Sequence, residues 1–231
     1  MGEVPQEIAR RVKGGMVEKD IMQSGQYAAR RDADAGKMYS DYLAEVTRAG
    51  ETVWQWRTWE HFDPEADGIA EMQAPRTLWA QGNSVEELEN GDILASYRPT
   101  STVVRISRST GKILWKLGPP TVAVQHAPTR LANGNILIFD NGVHRLDDSL
   151  PYSRVTEVGP ATNRIVWKYQ DKPAWNFFSP RMGNVVRSTV RGDKRRGDRL
   201  GIDQSVFWRA VLRWTAGITK QTGFPVISVR R

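Results

Sequence analysis

The chain has 231 residues, 26% charged and 39% hydrophobic, enough for a sizeable core, and no apolar run approaches the ~18 residues of a membrane-spanning helix. It has no cysteine, which excludes disulfides, thiolate metal sites and cysteine nucleophiles, and its three histidines argue against a structural zinc site. The formal charge of +7 is uneven: residues 187–231 hold eleven Lys or Arg against three Asp, a net of +8, so residues 1–186 carry −1 and call for no nucleic-acid partner.

Residues 1–41 carry charges at helical spacing (EIARRVKGG, then QYAARRDADAGKMYSDY), broken by Gly14, Gly15 and Gly25, and read as a short helical and loop segment. From Tyr42 the period becomes that of strands: YLAEVT, ETVWQWR, DILASYR, TVVRISR, KILWKLG, NILIFDN, SRVTEV and RIVWKY. Two phrases repeat among them. One is a strand-turn-strand phrase ending in tryptophan: VTRAGETVW (46–54), ISRSTGKILW (106–115) and VGPATNRIVW (158–167). The other is LENGDIL from Leu88 and LANGNIL from Leu131, whose Asn-Gly pairs at Asn90 and Asn133 are 43 residues apart.

Such pairs suit type I′ hairpins, in which both central residues take positive φ, and Thr110-Gly111 supplies a similar turn. Repeats of this length, built of short strands and Gly turns, are the sequence form of a propeller blade. The expected fold is therefore all-β, a β-propeller with three to four recognisable blades in residues 42–183. Trp54, Trp115 and Trp167 hold one repeat position and are expected as buried inter-blade core.

After Gly183 the pattern stops. Residues 184–231 form a basic tail with neither repeated phrase, although another blade is expected there. RGDKRRGDR (191–199) has the charge to bind phosphates, yet nothing beside it reads bases. The reading favoured for this tail is sequence out of frame with the repeats, or disorder.

The least repetitive residues lie in the long connections HFDPEADGIAEMQAPRTLWAQGNS, GPPTVAVQHAPT, FDNGVHRLDDSLPYSR and WNFFSPRMGN. Propeller connections gather at one end of a channel, so polar groups distant in sequence converge there. Taken together, WEHFDPEADGI, GNSVEELENGDILASYR, STVVRISRSTGKILWKLGPP, QHAPTRLANGNILIFDNGVHRLDDSLPYSRV, EVGPATNRIVWKYQ and NFFSPR resemble the arylsulfotransferase family over roughly residues 4–183.

The resemblance implies a six-bladed propeller. It also implies transfer of a sulfuryl group from an aryl sulfate to a phenol without PAPS, through a sulfated histidine. An aryl sulfate and a phenolic acceptor are then the expected small-molecule partners, and no cofactor is expected. A quinone-cofactor propeller would rest on TGKILW alone. Where the family reads Trp-x-His-x-Asn-Ser, this chain has Trp79-Ala80-Gln81-Gly82-Asn83-Ser84, with glutamine in the histidine's place. Where the family continues past FFSPR with a further blade, this chain enters the basic tail. A partial propeller is the expectation, inactive as it stands and prone to self-association through open sheet edges. The alternative is a non-catalytic propeller that binds or scaffolds. Read as written, GEVPQEIARRVKGG lacks a signal-peptide core and implies a cytoplasmic chain, whereas many bacterial relatives are exported.

Sulfuryl transfer needs a nucleophile, a proton donor for the leaving phenolate, and cations or hydrogen-bond donors around the sulfonate oxygens. Imidazole suits the first two roles. His126, which matches the family's Gln-His step, is the candidate catalytic residue, or else a channel histidine that only binds. Asn83 and Asn141 are candidate sulfonate donors, or simply turn formers beside glycine. Arg98 and Arg154 offer candidate forks for sulfate, or pair with an acid. His144, followed by Arg145, Asp147 and Asp148, is a second candidate channel histidine or a member of a polar loop network. His61 with Asp63 and Glu65 superficially resembles a metal cluster, but EHFDPE reads as a loop and no metal is expected.

Overall fold

A computed structural model describes residues 1–15, 37–71, 73–145, 147, 150–188 and 199–203. Among them helix is confined to α1 (Gln6–Ala9) and two single 3-10 turns, Thr58–Glu60 and Ala174–Asn176. The expected N-terminal helical stretch thus holds one helix of four residues, between β1 (Gly2–Glu3) and β2 (Tyr39–Ser40). Its second part, within residues 16–36, lies outside the described residues.

The chain divides into two compact units, the first running to Pro119 and the second starting at Pro120. In the first unit β3 (Tyr42–Val46) and β4 (Thr52–Arg57) form a hairpin, and β5 (Leu78–Trp79) pairs parallel to β2. A four-stranded antiparallel meander follows: β6 (Gly82–Glu87), β7 (Ile93–Tyr97), β8 (Thr102–Ile106) and β9 (Ile113–Leu117). The second unit repeats this meander with β10 (His126–Arg130), β11 (Ile136–Asp140), β12 (Arg154–Gly159) and β13 (Arg164–Tyr169). The architecture is all-β, that of a partial propeller.

Burial changes in the same way across both meanders. The second strands, ILASY and ILIFD, are buried at all five positions, and the third strands nearly so. Strands covered on both faces favour near-continuous apolar runs, which ILASY and ILIFD show, whereas RVTEV buries Arg154 and Glu157 as ion-paired side chains. The outer strands are less covered than these, and RIVWKY is mostly exposed. The first strands, GNSVEE and HAPTR, are polar and only partly covered. In sequence they resemble connections, because polar residues at an edge leave no apolar period to detect.

The hairpins use two turn classes, and neither is type I′. In Thr47–Glu51, Leu88–Asp92 and Leu131–Asn135 the first residue's N–H reaches the last residue's C=O at 2.8 Å. Only the glycine is left-handed, with Gly50, Gly91 and Gly134 at φ 89°, 82° and 85°. This is the three-residue loop with a glycine bulge, and the asparagine before the glycine keeps negative φ. Ser107–Lys112 and Gly159–Arg164 enclose one residue more, with Gly111 (φ 70°) and Asn163 (φ 54°) in the left-handed position.

The repeated tryptophans are not buried core. Trp54 and Trp115 are half-buried and Trp167 is 40% exposed, because β4, β9 and β13 are edge strands of their sheets. Among the described residues the fully buried tryptophans are Trp56 and Trp79, whose indole N–H groups donate to Gly111 O (2.8 Å) and Asp67 O (2.7 Å). The edge tryptophans sit instead in a recurring surface device. Trp54 faces Glu45 across the hairpin, and Arg108 pairs with Glu45 while lying 4.5 Å over the Trp54 ring. Trp167 faces Glu157, and Arg187 pairs with Glu157 at 2.6 Å while lying 5.3 Å over the Trp167 ring.

Strand pairing resumes at the point where the sequence repeats stop. β14 (Asn184–Ser188) runs antiparallel to β15 (Arg199–Asp203). Val185 is 1% exposed and joins Leu137, Phe139, Val155 and Phe177 in the second unit's core. Each large apolar side chain so buried contributes roughly 1.5–3 kcal/mol. The rest of the basic tail, residues 189–198 and 204–231, lies outside the described residues.

Candidate active site at one end of the second meander

Alternation of direction brings four stretches to one end of the second meander: the start of β10, the end of β11, the start of β12 and the loop leaving β13. They carry, in order, Gln125-His126, Asp140-Asn141, Ser153-Arg154 and Phe177–Arg181, residues of the three connections GPPTVAVQHAPT, FDNGVHRLDDSLPYSR and WNFFSPRMGN. His126 pairs with Phe139, while the next paired residue, Thr129, faces Leu137, so β10 bulges directly after the histidine. Val124 (φ 52°) and Ala127 (φ 47°) take left-handed backbone on either side of it. Such geometry costs on the order of 1–3 kcal/mol per residue and persists only where neighbours enforce it, a pattern concentrated at functional sites.

His126 is 4% exposed, and its Nδ1 lies 2.8 Å from Asn141 Oδ1. Asn141, fully buried, spends its Nδ2 on two carbonyls, Ser179 O at 2.7 Å and Met182 O at 3.1 Å. Its Oδ1 is therefore the accepting end, and His126 Nδ1 must donate. In the neutral ring the lone pair then sits on Nε2. Ser153 completes the clamp: its hydroxyl donates to Asn141 O (3.1 Å) and accepts from Ser179 N (2.9 Å).

Beneath this pair lies a buried ionic cluster. Asp140 is fully buried; Oδ1 accepts from Ala123 N at 2.9 Å, and Oδ2 accepts from Arg145 Nη1 at 2.5 Å and Arg154 Nε at 2.8 Å. Burial pushes the Asp140 carboxyl up, against the pull of both arginines and the Ala123 amide. Asp147 accepts from Arg145 Nε (3.0 Å) and from the Tyr152 hydroxyl (2.9 Å). Burial works to raise Asp147 too, but the Tyr152 hydroxyl and the two arginines outweigh it and hold this carboxyl low. Arg154 also donates to Thr121 O at 3.0 Å. A shallow cleft of about 640 Å³ has Pro120, Thr121, Arg145, Asp147 and Arg154 in its wall; His126 and Asn141 do not line it.

The remaining candidates fall elsewhere. Asn83 and Arg98 lie in the first unit, 43 residues before His126 and Asn141, so one repeat position supplies Asn83 then His126 and another supplies Arg98 then Asn141. Asn83 is half-buried on β6, beside Ala80, which is left-handed at φ 54°. Arg98 pairs with Glu71, a buried acid. At this end of the first meander Asp41 accepts from Gly82 N (2.7 Å); burial pushes its carboxyl up while that amide pulls it down. His144 is half-buried between β11 and β12, beside Arg145. His61 stacks on Trp56 (4.5 Å between centroids, 5° between planes), and burial lowers its pKa. Asp63 caps its own turn by accepting from Glu65 N and Ala66 N. Among the described residues, no three His, Asp or Glu side chains gather as a metal site.

The fold brings together His126, Asn141 and Arg154, all singled out from sequence, with Arg145, named there only beside His144 in a polar loop network, and with Asp140, Ser153 and Ser179, which were not. One signal for Asp140 was available, since it is the acid that ends the otherwise apolar run ILIFD.

Residues 18–123 match the family model described as Arylsulfotransferase (ASST), a stretch that includes Asn83 and Arg98 and ends three residues before His126. No curated protein matches the chain. Among solved structures, a protein of unknown function from Bacteroides caccae is similar at 18% identity with a TM-score of 0.35, over 57% of this chain and 39% of that one. The chain thus spans about two-fifths of that protein's length.

Proposed function

With the arylsulfotransferase pattern running through residues 18–123, we propose that the chain is arylsulfotransferase-like and transfers a sulfuryl group from an aryl sulfate to a phenol through His126, without a nucleotide donor. The observation that carries this reading is the clamp on the imidazole: Asn141 holds Nδ1 as a donor at 2.8 Å, which makes Nε2 the basic nitrogen. Nε2 attacks the sulfur of the aryl sulfate, the bond from sulfur to the aryl oxygen breaks, and the phenolate leaves and takes a proton from solvent water. The acceptor phenol then attacks the sulfur on the imidazole, the S–N bond breaks to return the neutral ring, and the acceptor's hydroxyl proton passes to solvent water. Arg154 serves in this reading by bracing the loops through Asp140, since its fork is already engaged there. His144 remains a proposed binding residue for the sulfonate or the rings, while Asn83 and Arg98 hold the corresponding repeat positions within the first unit.

The test is incubation with 4-nitrophenyl sulfate and a simple phenol, following nitrophenolate release and the intact mass of the protein. A sulfonate adduct on His126, and its loss together with turnover in His126→Ala, is the expected result. Absence of both nitrophenolate release and adduct in the wild type would sink the proposal.

A second reading, a non-catalytic binding module, is favoured by Gln81 in the family's histidine position and by the 4% exposure of His126. It expects calorimetric binding of phenyl sulfate with no adduct.

A further inference from the structure

We infer that Asp140 is a positioning residue for His126, acting through the backbone of Ala123; the catalytic part of this inference rests on the proposed role of His126, whereas the positional part does not. Both backbone groups of Ala123 are held by one short stretch of β11 and its exit. The Ala123 N–H donates to Asp140 Oδ1 at 2.9 Å, and the Ala123 C=O accepts from Gly142 N at 2.9 Å. Between Ala123 and His126 the chain passes through Val124 at φ 52°, a conformation that a β-branched residue avoids unless its surroundings impose it. The double grip on Ala123 is that imposition on the upstream side. Downstream, Asn141 takes His126 Nδ1.

Asp140 and Asn141 are adjacent, so one turn of chain holds the loop's anchor and the ring's tautomer in a fixed relation. Arg145 and Arg154 bind the other carboxylate oxygen at 2.5 and 2.8 Å, which leaves Oδ1 aimed at the Ala123 amide. Gly142 is required here: at φ 73° its added Cβ would collide with Tyr152 O and the Arg145 guanidinium, two parts of the same brace.

The experiment uses the full chain and reads His126 directly. Long-range proton–nitrogen NMR of the imidazoles should show the wild-type ring as a single Nδ1–H tautomer. In Asp140→Asn it should show a mixed tautomer population, with far-ultraviolet circular dichroism unchanged. Amide exchange in the wild type is the second measurement, and it needs no folded variant: Ala123 N–H should exchange at least tenfold more slowly than the exposed loop amides around Arg48. If the wild type turns over aryl sulfate, Asp140→Asn should lower kcat at least tenfold while KM changes less than twofold. An unchanged His126 tautomer in a folded Asp140→Asn, or an Ala123 amide that exchanges like an open loop, overturns the inference. Absence of wild-type turnover bears on the sulfuryl-transfer reading and leaves the two spectroscopic readouts to decide this one.

Discussion

His126 and Asn141 share a 2.8 Å hydrogen bond in which the direction is set by the amide's other end, where Nδ2 serves the carbonyls of Ser179 and Met182. Asn141→Ala removes the acceptor for His126 Nδ1 and takes one donor from each of the Ser179 and Met182 carbonyls. Transfer from aryl sulfate should fall by on the order of a hundredfold, as for loss of a positioned acid–base partner. Initial rates of nitrophenolate release, normalised to folded protein by circular dichroism, check this; wild-type rates in Asn141→Ala would show that the clamp is irrelevant to chemistry.

Two glycines with similar backbone should respond differently to alanine. Gly91 is left-handed at φ 82° in open space, so Gly91→Ala should cost about 1–2 kcal/mol from backbone conformation alone. At Gly142 the same substitution adds a steric collision with Tyr152 O and Arg145, and it should cost at least about 3 kcal/mol. Urea denaturation of the two variants side by side tests the ordering.

Tryptophan deletion should separate core from edge. Trp56 is 2% exposed, donates to Gly111 O and stacks with His61, so Trp56→Ala should lose about 3–5 kcal/mol. Trp167 is 40% exposed and meets Arg187 across its face, so Trp167→Ala should lose only about 1 kcal/mol. Equal losses in thermal or urea unfolding would contradict the edge assignment.

Acid sensitivity should trace in part to Glu157. Burial works to raise its pKa, but the amides of Asn135 and Asn133 and the Arg187 guanidinium outweigh it, so the folded value lies below the usual glutamate range. A carboxyl depressed by folding stabilises fully above its unfolded value, about 4.3, and the contribution disappears as pH falls through the lower folded value. Glu157→Gln should therefore lower Tm at neutral pH, and the gap from wild type should close as pH drops below about 4. A gap independent of pH would assign the loss to packing instead.

The strands read directly from sequence were those with an apolar period. ILASY, TVVRI and ILIFD are covered on both faces and spell largely apolar runs, whereas the equally covered RVTEV buries Arg154 and Glu157 by pairing them with Asp140 and Arg187. GNSVEE and HAPTR were hidden because their side chains are polar and their places as first strands are set by pairing to β7 and β11. His126 was legible as chemistry, since histidine is rare in this chain. Ser153 and Ser179 were not legible, because a serine that bridges loops looks in sequence like any other loop serine.

Sequence alone determined the repeat, the hairpin positions and the all-β class, since apolar period and glycine turns act over a few residues. It did not determine which tryptophans are core. Trp54, Trp115 and Trp167 share a repeat position, but that position falls on edge strands, and exposure there depends on what lies beyond the edge. Nor did it determine the tautomer of His126, which follows from carbonyls at Ser179 and Met182 acting through Asn141. Hydrogen-bond direction is settled by the full set of partners around a group, and those partners meet only when β10, β11 and the loop after β13 reach the same end of one sheet.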